Sequence, residues 1–362
     1  MEYIELGKIL EYEQPTQYLV ETTNYRNDYN IPVLTAGQTF ILGYTNETYN
    51  VFPVSRLPVI IFDDFTTASK FVDFPFKVKS TAMKILNPVK GINVKYVYYA
   101  MQKIKFDNTL HKRYWISQYA NIKIPLPEIE KQNKIADEID RITEIILYKK
   151  EQLKILDDLV KSQFVEMFEN EKYPKKTLNE LTNKITDGSH NPPTGVAENE
   201  GYMMLSSQNI INNSLNYEKV RFLKKEDFEK ENLRTNLNRG DVLLTIVGTV
   251  GRTAIITDET NITLQRSVAV LKPTKEINSI YLVGAINSDD VIRQLNKGAK
   301  GVAQKAIYLN DIKKILIAVP PIELQNQFAD IVKQIDKQKF EIENSLKEMQ
   351  ELYESLMEKY FG

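Results

Sequence analysis

A short motif near the middle of the chain could hold a nucleotide base for chemistry. Asn191-Pro192-Pro193 has an amide followed by two prolines, the order that adenine methyltransferases use to hold a base flipped out of the duplex. Those sites also need an aromatic ring after the prolines, where this chain has Thr194. The nearest cofactor-loop candidate, Gly248–Gly251, lacks the glycine spacing of a nucleotide-binding fingerprint. We therefore predict that the chain has no catalytic residue. The alternative interpretation is that it is a self-contained N6-adenine DNA methyltransferase.

Metal and thiol chemistry have little support in the composition. The chain has no cysteine, which excludes disulfides, thiolate zinc sites and thiol nucleophiles, and it has only two histidines, His111 and His190. The pair Asp63-Asp64 could accept hydrogen bonds from cytosine amino groups, but paired carboxylates in a turn more often cap the backbone. We expect no metal site and no cofactor in this chain.

Basic, amide and hydroxyl side chains near glycine-rich turns are candidates for DNA contact. Gly248–Arg252 follows a predicted strand, so its amides could meet a phosphate while Arg252 reaches a base edge; the alternative is a plain hairpin turn. Lys297 to Lys305 is predicted to be a flexible basic loop, with Gln304 able to read adenine, or else a solvated loop. The candidate DNA-binding residues are Thr35, Gln38, Tyr44, Arg56, Lys70, Lys77, Asp187, His190, Arg252, Gln265, Arg266, Lys297, Lys300, Gln304 and Lys305.

The scaffold that must position these residues is organised around a repeated helical pattern. Alternate steps of four and three from Ile135 to Met167 meet apolar residues, with interruptions at Lys149 and Gln163. Adding 193 to each number gives a second seam in the same register, which predicts two long helices paired antiparallel as a coiled coil. The predicted seam residues are Ile135, Ile139, Ile142, Ile146, Leu153, Leu156, Val160, Val332, Ile335, Ile342, Leu346, Met349 and Leu356.

Two lysines interrupt the seams near their middle. We expect Lys149 and Lys339 to fix the register of the pair, with Glu151 and Glu341 as neighbours. Helices of about 41 residues would be roughly 60 Å long, which favours a spacer over a helix that packs only on its own domain.

The regions before the two helices are predicted to be globular. Strands are expected at 31–34, 39–44, 59–62, 241–247, 253–256 and 267–271, and helices at 94–105 and 279–288. The fold class is α+β, with two mixed α/β domains joined by the two long helices in a pseudo-twofold arrangement. The predicted boundaries are a first domain at 1–121, a central helix region at 122–172, a second domain at 173–319 and a C-terminal helix region at 320–362.

The charge of the chain changes sign along this division. Residues 1–120 have 13 basic and 11 acidic side chains and residues 173–319 have 20 and 16, so the globular parts are mildly basic. Residues 121–172 have 9 and 12, and residues 320–362 have 5 and 9, so the helices are acidic. Contact with a polyanion would therefore belong to the globular parts.

The pattern resembles the specificity subunits of type I restriction-modification systems over nearly the whole chain. The duplicated helix entries PEIEKQNKIADEID (127–140) and PIELQNQFADIVKQID (321–336) carry the resemblance most specifically. Weaker matches are LTAGQTFILGYTNE (34–47), VIIFDDFTTASKF (59–71), TDGSH (186–190) and GDVLLTIVGTVGRTAI (240–255).

The resemblance implies a DNA-binding, non-catalytic subunit with two target recognition domains, each reading one half of a bipartite, asymmetric double-stranded target. It also implies that the helices bind two modification subunits, which carry S-adenosylmethionine for DNA methylation, and that restriction subunits using ATP and Mg²⁺ join them. We expect a cytoplasmic protein, because no segment resembles a signal peptide or a membrane span. A helical scaffold without a DNA role is the second alternative.

Overall fold

The computed structural model describes residues 2–35, 39–107, 112–169, 171–197, 201–257, 261–301 and 305–362. The chain forms two compact units: unit 1 is Met1–Lys150 with Glu343–Gly362, and unit 2 is Glu151–Ile342. Each of the two long helices therefore contributes one part to each unit.

Unit 1 contains a globular domain built mainly from short strands. In chain order its elements are β1 (Tyr3–Glu5), α1 (Leu6–Ile9), β2 (Leu10–Glu13), β3 (Ile31–Leu34), β4 (Ile41–Thr45), β5 (Val59–Asp63), β6 (Ser69–Val72), β7 (Lys77–Val78), β8 (Met83–Pro88), α2 (Val94–Lys103) and β9 (Lys123–Pro125), with short 3₁₀ helices at Pro15–Tyr18, Val54–Arg56 and Tyr119–Asn121. The long helix α3 (Ile129–Phe168) follows directly.

The main sheet of this domain has the strand order β2-β8-β5-β6, with antiparallel pairing throughout. Every residue of β5 is buried, as expected for a central strand rich in β-branched and aromatic residues. A second sheet, β4-β3-β7, pairs β3 antiparallel with β4 and parallel with β7. Trp115 lies in the core at 1% exposure.

Unit 2 contains the second domain. Its elements are β10 (Lys175–Thr177), α4 (Leu178–Leu181), β11 (Thr182–Asp187), β12 (Tyr202–Leu205), β13 (Ile210–Ile211), β14 (Ser214–Leu215), β15 (Arg221–Leu223), α5 (Lys225–Thr235), β16 (Val242–Thr245), β17 (Thr253–Ile255), β18 (Ile262–Leu264), β19 (Val268–Pro273), α6 (Ser279–Ile286), α7 (Asp289–Gly298), α8 (Leu309–Ile312) and β20 (Leu316–Ala318), with a 3₁₀ helix at Ser207–Asn209. The helix α9 (Ile322–Phe361) ends the chain.

The two domains repeat the same sheet topology. The order β11-β19-β16-β17 matches β2-β8-β5-β6, and β15-β12-β18 matches β4-β3-β7, including one antiparallel and one parallel pairing of the central strand. The pairs β1-β9 and β10-β20 close the entry to each long helix. A common frame therefore supports two different sets of surface side chains.

The long helices contact one another within each unit. In unit 1, Ile135 and Ile139 share a core cluster with Met357, and the Tyr360 hydroxyl donates to Glu138 Oε2 at 2.7 Å. In unit 2, Phe164 and Phe168 pack against Phe328, with ring centroids 5.5 Å apart in both pairs. Each apolar side chain buried in this way contributes roughly 1.5 to 3 kcal/mol before entropy is subtracted.

A polar contact also links the helices in unit 2. Lys339 Nζ donates to Asp157 Oδ1 at 2.6 Å, and this pair together with the Phe164 and Phe328 contact shows antiparallel packing, because the higher number on α3 meets the lower number on α9. The partner of Lys339 differs from the prediction, because the carboxylate that pairs with it belongs to Asp157 and not to a glutamate. Glu151 instead lies 3.9 Å from Lys154 of its own helix.

The predicted seam residues are all buried or half-buried, as expected for an apolar stripe between packed helices. Both helices contain 40 residues, close to the predicted length. In the part of the chain that the structure describes, no helix is long and apolar enough to cross a membrane.

Candidate nucleic-acid interface

Unit 2 contains a cleft of about 410 Å³ formed by three segments of the second domain. The segments are the start of the 3₁₀ helix after β12, the turn after β16 and the turn between β18 and β19. The lining residues are Ser206, Ser207, Gln208, Val247, Gly248, Thr249, Gln265, Arg266 and Ser267. Two predicted DNA-binding residues, Gln265 and Arg266, therefore lie side by side in one polar cleft.

The turn that carries Gln265 and Arg266 is tied to the fold from both sides. Gln265 N donates to Leu205 O at 2.8 Å, which connects the turn to β12. Arg266 N donates to Ser189 O at 2.9 Å, and Ser189 N donates to Leu264 O at 2.7 Å. The backbone of this turn is thus fixed before any ligand binds, which lowers the entropy that binding must overcome.

Gly188 allows the close approach of the two segments. A Cβ at this position would lie 2.0 Å from Leu264 O and 2.7 Å from Gln265 C, both backbone atoms. The motif TDGSH therefore contains glycine for steric reasons, since any side chain would separate Ser189 from Arg266.

Asp187 positions this segment and does not face a ligand. The residue is 6% exposed, its carboxylate accepts a hydrogen bond from the Arg234 guanidinium, and Arg234 Nε donates to Asp187 O at 2.9 Å. His190 Nε2 lies 2.8 Å from Asp187 Oδ2. The prediction that Asp187 contacts DNA is therefore wrong, whereas His190 is exposed at the end of the segment and stays a prediction.

The Gln265 amide is held by a chain of two hydrogen bonds. Ser207 N donates to Ser267 Oγ at 3.0 Å, and Ser267 Oγ donates to Gln265 Oε1 at 3.2 Å. Among the described residues the amide nitrogen has no acceptor, so both of its hydrogens can be donated to a ligand, and Oε1 can accept a second bond. Across the described ranges the exposed Arg266 guanidinium has no hydrogen-bond or ion-pair partner. Ser207 and Ser267 were missed at the sequence level because only the pairing of the strands brings them to Gln265.

Three backbone amides of the turn after β16 are used within the fold and are not free for the predicted phosphate contact. Gly248 N donates to Lys305 O, Gly251 N to Thr245 O, and Arg252 N to Thr245 Oγ1, at 2.9, 3.0 and 2.9 Å. These amides are consequently used within the fold. The Arg252 side chain is exposed and lies 3.4 Å from Ile210 O through Nη1, so its contact with DNA stays a prediction.

The predicted basic loop is partly helical. Lys297 belongs to the last turn of α7 and not to a loop, because Val291 and Leu295 provide the buried face that the helix needs. Lys300 and Lys305 are exposed, and Lys300 and Ala306 exchange two backbone hydrogen bonds. Gln304 lies outside the described residues. Lys300 and Lys305 therefore stay candidates for phosphate contact.

In unit 1, the candidate Tyr44 lies in the second sheet and the candidate Thr35 directly follows its central strand. Thr35 follows β3, its N donates to Phe40 O at 2.9 Å and its Oγ1 donates to Thr39 O at 2.5 Å. Tyr44 is half-buried on β4. Gln38 lies outside the described residues. Thr35 therefore directly follows β3, the central strand of its sheet, just as Ser206 directly follows the central strand β12 in unit 2.

Arg56 lies in a separate cleft of about 480 Å³. Its guanidinium donates to Glu13, to the Tyr18 hydroxyl at 3.1 Å and to Asn87 Oδ1 at 3.0 Å. Burial acts to raise the pKa of the Glu13 carboxyl, but the hydrogen bond and charge of Arg56 outweigh it and the pKa is lowered. Arg56 is therefore already engaged, while Lys70 is exposed on β6.

Lys77 is a core residue, and its prediction as a DNA contact is wrong. It is fully buried, with Nζ 2.7 Å from Glu47 Oε2 and 3.1 Å from Tyr49 O. Burial acts to raise the pKa of Glu47, but hydrogen bonds from Lys77 and from the backbone of Thr22 and Glu21 lower it overall. A buried carboxylate needs this compensation.

The acidic pair accepts hydrogen bonds from backbone amides, and the proline motif accepts one from Arg221. Asp63 Oδ1 accepts from Phe65 N at 2.9 Å, and Asp64 Oδ1 accepts from Trp115 N at 2.9 Å. Pro193 O accepts from Arg221 Nη1 at 3.1 Å. Within the described ranges no group of three or more acidic, histidine or cysteine residues could hold a metal ion.

Comparisons with known proteins agree with this architecture. Residues 170–352, just over half of the chain, match the family model of the type I restriction modification DNA specificity domain. The chain is 52% identical over 149 residues to the Escherichia coli type I restriction enzyme EcoR124I/EcoR124II specificity subunit, covering 39% of this chain and 37% of that protein. It is 24% identical over 329 residues to the Methanocaldococcus jannaschii MjaVIII specificity subunit, covering 81% and 77%.

A solved structure has the same fold over almost its whole length. The S subunit of a type I restriction-modification system from M. genitalium matches with a TM-score of 0.64 and 14% identity, covering 100% of this chain and 96% of that one. The family match spans half of the chain and the fold agrees with it. The chain therefore belongs to the family of type I restriction-modification DNA specificity domain proteins.

Proposed function

We propose that this chain is the specificity subunit of a type I restriction-modification complex and reads a bipartite, asymmetric DNA target, with one half-site for each target recognition domain. The observation that carries the proposal is the cleft of unit 2, where the Gln265 amide and the Arg266 guanidinium lie together on a fixed turn. Amide and guanidinium groups are the side chains that most often read adenine and guanine in the major groove.

The duplicated topology supports the division into two half-sites. Two domains with one frame and different surface residues would bind DNA in the same manner and select different bases. Lys300, Lys305 and Arg252 provide exposed positive charge around the cleft of unit 2, and such charges contact phosphates without selecting sequence. Thr35, Tyr44 and Lys70 are the corresponding candidates in unit 1.

The long helices are the proposed binding surface for two modification subunits. They are acidic overall, and each unit exposes large apolar residues on its helical parts. Tyr148 is 70% exposed in unit 1 and Phe340 is 63% exposed in unit 2, with Leu147 and Ile155 at 60% and 56%. Apolar side chains of this size on a charged helix surface are typical of protein interfaces.

The chain is proposed to be non-catalytic and to need no cofactor of its own. The modification subunits would bind S-adenosylmethionine and methylate adenine, and restriction subunits would use ATP and Mg²⁺. Such a complex would act on DNA in the cytoplasm.

Methylome sequencing tests the proposal in a host that expresses this chain with its cognate modification subunit. The expected result is adenine methylation in one asymmetric, bipartite motif, which disappears when this chain is omitted. Binding of S-adenosylmethionine by the isolated chain would instead indicate a methyltransferase. A scaffold would enrich no sequence from a random duplex library in the presence of the partner.

A further inference from the structure

The two recognition domains place different side chains at one equivalent position. In unit 1, Leu34 of β3 pairs in parallel with Val78 of β7, and the next residue, Lys79, donates from N to Leu34 O at 2.9 Å. In unit 2, Leu205 of β12 pairs in parallel with Leu264 of β18, and Gln265 N donates to Leu205 O at 2.8 Å. The hydrogen bonds therefore make Lys79 the counterpart of Gln265.

The turn after this position differs in length between the domains. It ends where Ala82 O accepts from Asp64 N at 3.3 Å in unit 1, and where Ser267 O accepts from Ile246 N at 2.9 Å in unit 2. Four residues from Lys79 to Ala82 thus correspond to three from Gln265 to Ser267. An alignment of the two domains without a gap, which superimposes the strands β8 and β19, would pair Ser80 with Gln265. It would therefore miss that Lys79 is the counterpart of Gln265.

Both side chains are available for a ligand. Lys79 is exposed, with Nζ 5.7 Å from the centroid of the Tyr25 ring, and it has no ion-pair partner in the described part of unit 1. Gln265 is half-buried in its cleft, and its amide is oriented by Ser267. The Lys79 ammonium therefore offers a point charge with three donors, whereas the Gln265 amide offers a donor and an acceptor in one plane.

We propose that this position reads a base in each half-site, adenine by Gln265 and guanine by Lys79. The inference rests on the proposed function and adds the base to it. An amide matches adenine, which offers the N7 acceptor and the N6 donor in the major groove, while an ammonium matches guanine, which offers O6 and N7 as acceptors. The two half-sites accordingly differ at equivalent bases, because the two domains share one backbone topology but carry different side chains at this position.

Reciprocal substitution tests this assignment. The full-length chain, co-expressed with its cognate modification subunit, is used to enrich a random duplex library, and the single variants Gln265→Lys and Lys79→Gln are compared with the wild type. Gln265→Lys is expected to change one adenine to guanine in one half-site, and Lys79→Gln to change one guanine to adenine in the other. Each preference should shift about tenfold or more, and the opposite half-site should stay unchanged.

Two further variants test the chemistry and the positioning. Gln265→Glu keeps the shape but leaves only acceptors, so it should favour cytosine, whose N4 is a donor. Ser267→Ala removes the hydroxyl that orients Gln265 and should reduce the adenine preference several-fold without moving it to another base. Gln118→Lys, at an exposed glutamine just before the 3₁₀ helix Tyr119–Asn121, is the matched control and should leave the target unchanged.

The outcomes separate the inference from the proposed function. If the wild type enriches no sequence, the proposed function fails. If the wild type enriches a bipartite target that both reciprocal variants leave unaltered, the base assignment is overturned and the proposed function stands. Loss of all binding by Gln265→Lys and Gln265→Glu, with wild-type melting temperatures, would assign the position to general affinity and would also overturn it.

Discussion

Asn278 Nδ2 donates to Asn326 Oδ1 at 2.8 Å, and this bond ties the residue that caps α6 to the N-terminal part of α9. Unit 1 has the same bond from Asn93 to Asn133 at 2.7 Å. A glutamine completes each arrangement: Gln325 Oε1 accepts from Asn278 N and Gln132 Oε1 accepts from Asn93 N, at 2.8 and 3.0 Å. Both long helices are thus joined to their domains by the same set of amides.

Removing the asparagine should loosen this junction. Asn278 Oδ1 also accepts from Ile280 N and Tyr281 N, so Asn278→Ala removes a helix N-cap together with the bond to Asn326. We expect a loss of about 1 to 2 kcal/mol in the free energy of unfolding, measured by urea denaturation. Asn93→Ala should have a similar effect, and Asn296→Ala, at an exposed asparagine within α7, is the control. Equal stability of Asn278→Ala and the control would contradict the capping role.

The buried pair of Lys77 and Glu47 should be essential for the stability of unit 1. Lys77→Met leaves a carboxylate without its ammonium partner, and we expect a loss of roughly 3 kcal/mol in the free energy of unfolding. Lys79→Met, at an exposed lysine two residues along the chain, should change stability little. A loss below about 1 kcal/mol for Lys77→Met would show that the pair is not buried as described.

The same pair predicts a dependence on pH. The pKa of Glu47 in the folded chain lies below its ordinary value of 4.5, so its stabilising contribution is present above that value and is lost as the pH falls through the folded pKa. In Lys77→Met the unpaired carboxylate should favour protonation, so the stability difference from wild type should shrink between pH 7 and pH 4. Thermal melts at both pH values measure this difference, and a constant gap would contradict the assignment.

Gly188 provides a steric test of the cleft. Gly188→Ala would force a Cβ against the backbone at Leu264, so the turn carrying Gln265 and Arg266 must move. We expect at least a tenfold loss of DNA affinity, measured by fluorescence anisotropy with the target duplex. Gly195→Ala is the matched control, because its Cβ would meet the side chain of Arg221 at 3.1 Å, which can move aside. Wild-type DNA affinity in Gly188→Ala would show that the turn carrying Gln265 and Arg266 can move away from the segment at Gly188 without loss of binding.

The sequence alone predicts the elements whose apolar residues repeat strongly. The long helices follow from their seams, and the buried run at Val59 predicts β5 because β-branched residues fill a strand covered on both faces. The helix α5 was not predicted, since Phe228 and Thr235 are its only buried residues. A segment this polar has no apolar periodicity that would predict a helix from the sequence. The helix therefore depends on contacts with the rest of unit 2.

The candidate site is predictable only by residue type. A lysine at position 77 and one at position 79 have the same chemistry in the sequence, yet one lies in the core and the other is exposed. The alternation of a strand distinguishes them once β7 is recognised, but β7 has only two residues and gives no pattern. Similarly, Ser267 becomes relevant to Gln265 only through the position of Ser207.

Charged residues on the seam should separate the helices. Leu153 and Leu346 are half-buried seam residues in unit 2 and unit 1, and their replacement by Asp places a carboxylate in an apolar contact. We expect Leu153→Asp with Leu346→Asp to lower the melting temperature and to prevent assembly with the modification subunit, measured by size-exclusion chromatography with light scattering. Leu233→Asp, at a residue that is 81% exposed, is the control, and assembly of the double variant would show that the seam is misassigned.

The pair of Lys339 and Asp157 should select the register of the helices. The Lys339 side chain is 20% exposed and the Asp157 side chain 48%, so the pair is partly screened and worth about 0.5 to 1 kcal/mol. Asp157→Lys puts two ammonium groups together and should destabilise the chain, as Lys339→Asp should by pairing two carboxylates. The double variant restores opposite charges in reversed order, and we expect it to recover most of the lost stability in urea denaturation. Destabilisation that simply adds in the double variant would mean that the two side chains do not interact, because a direct pair gives a coupling energy in such a cycle.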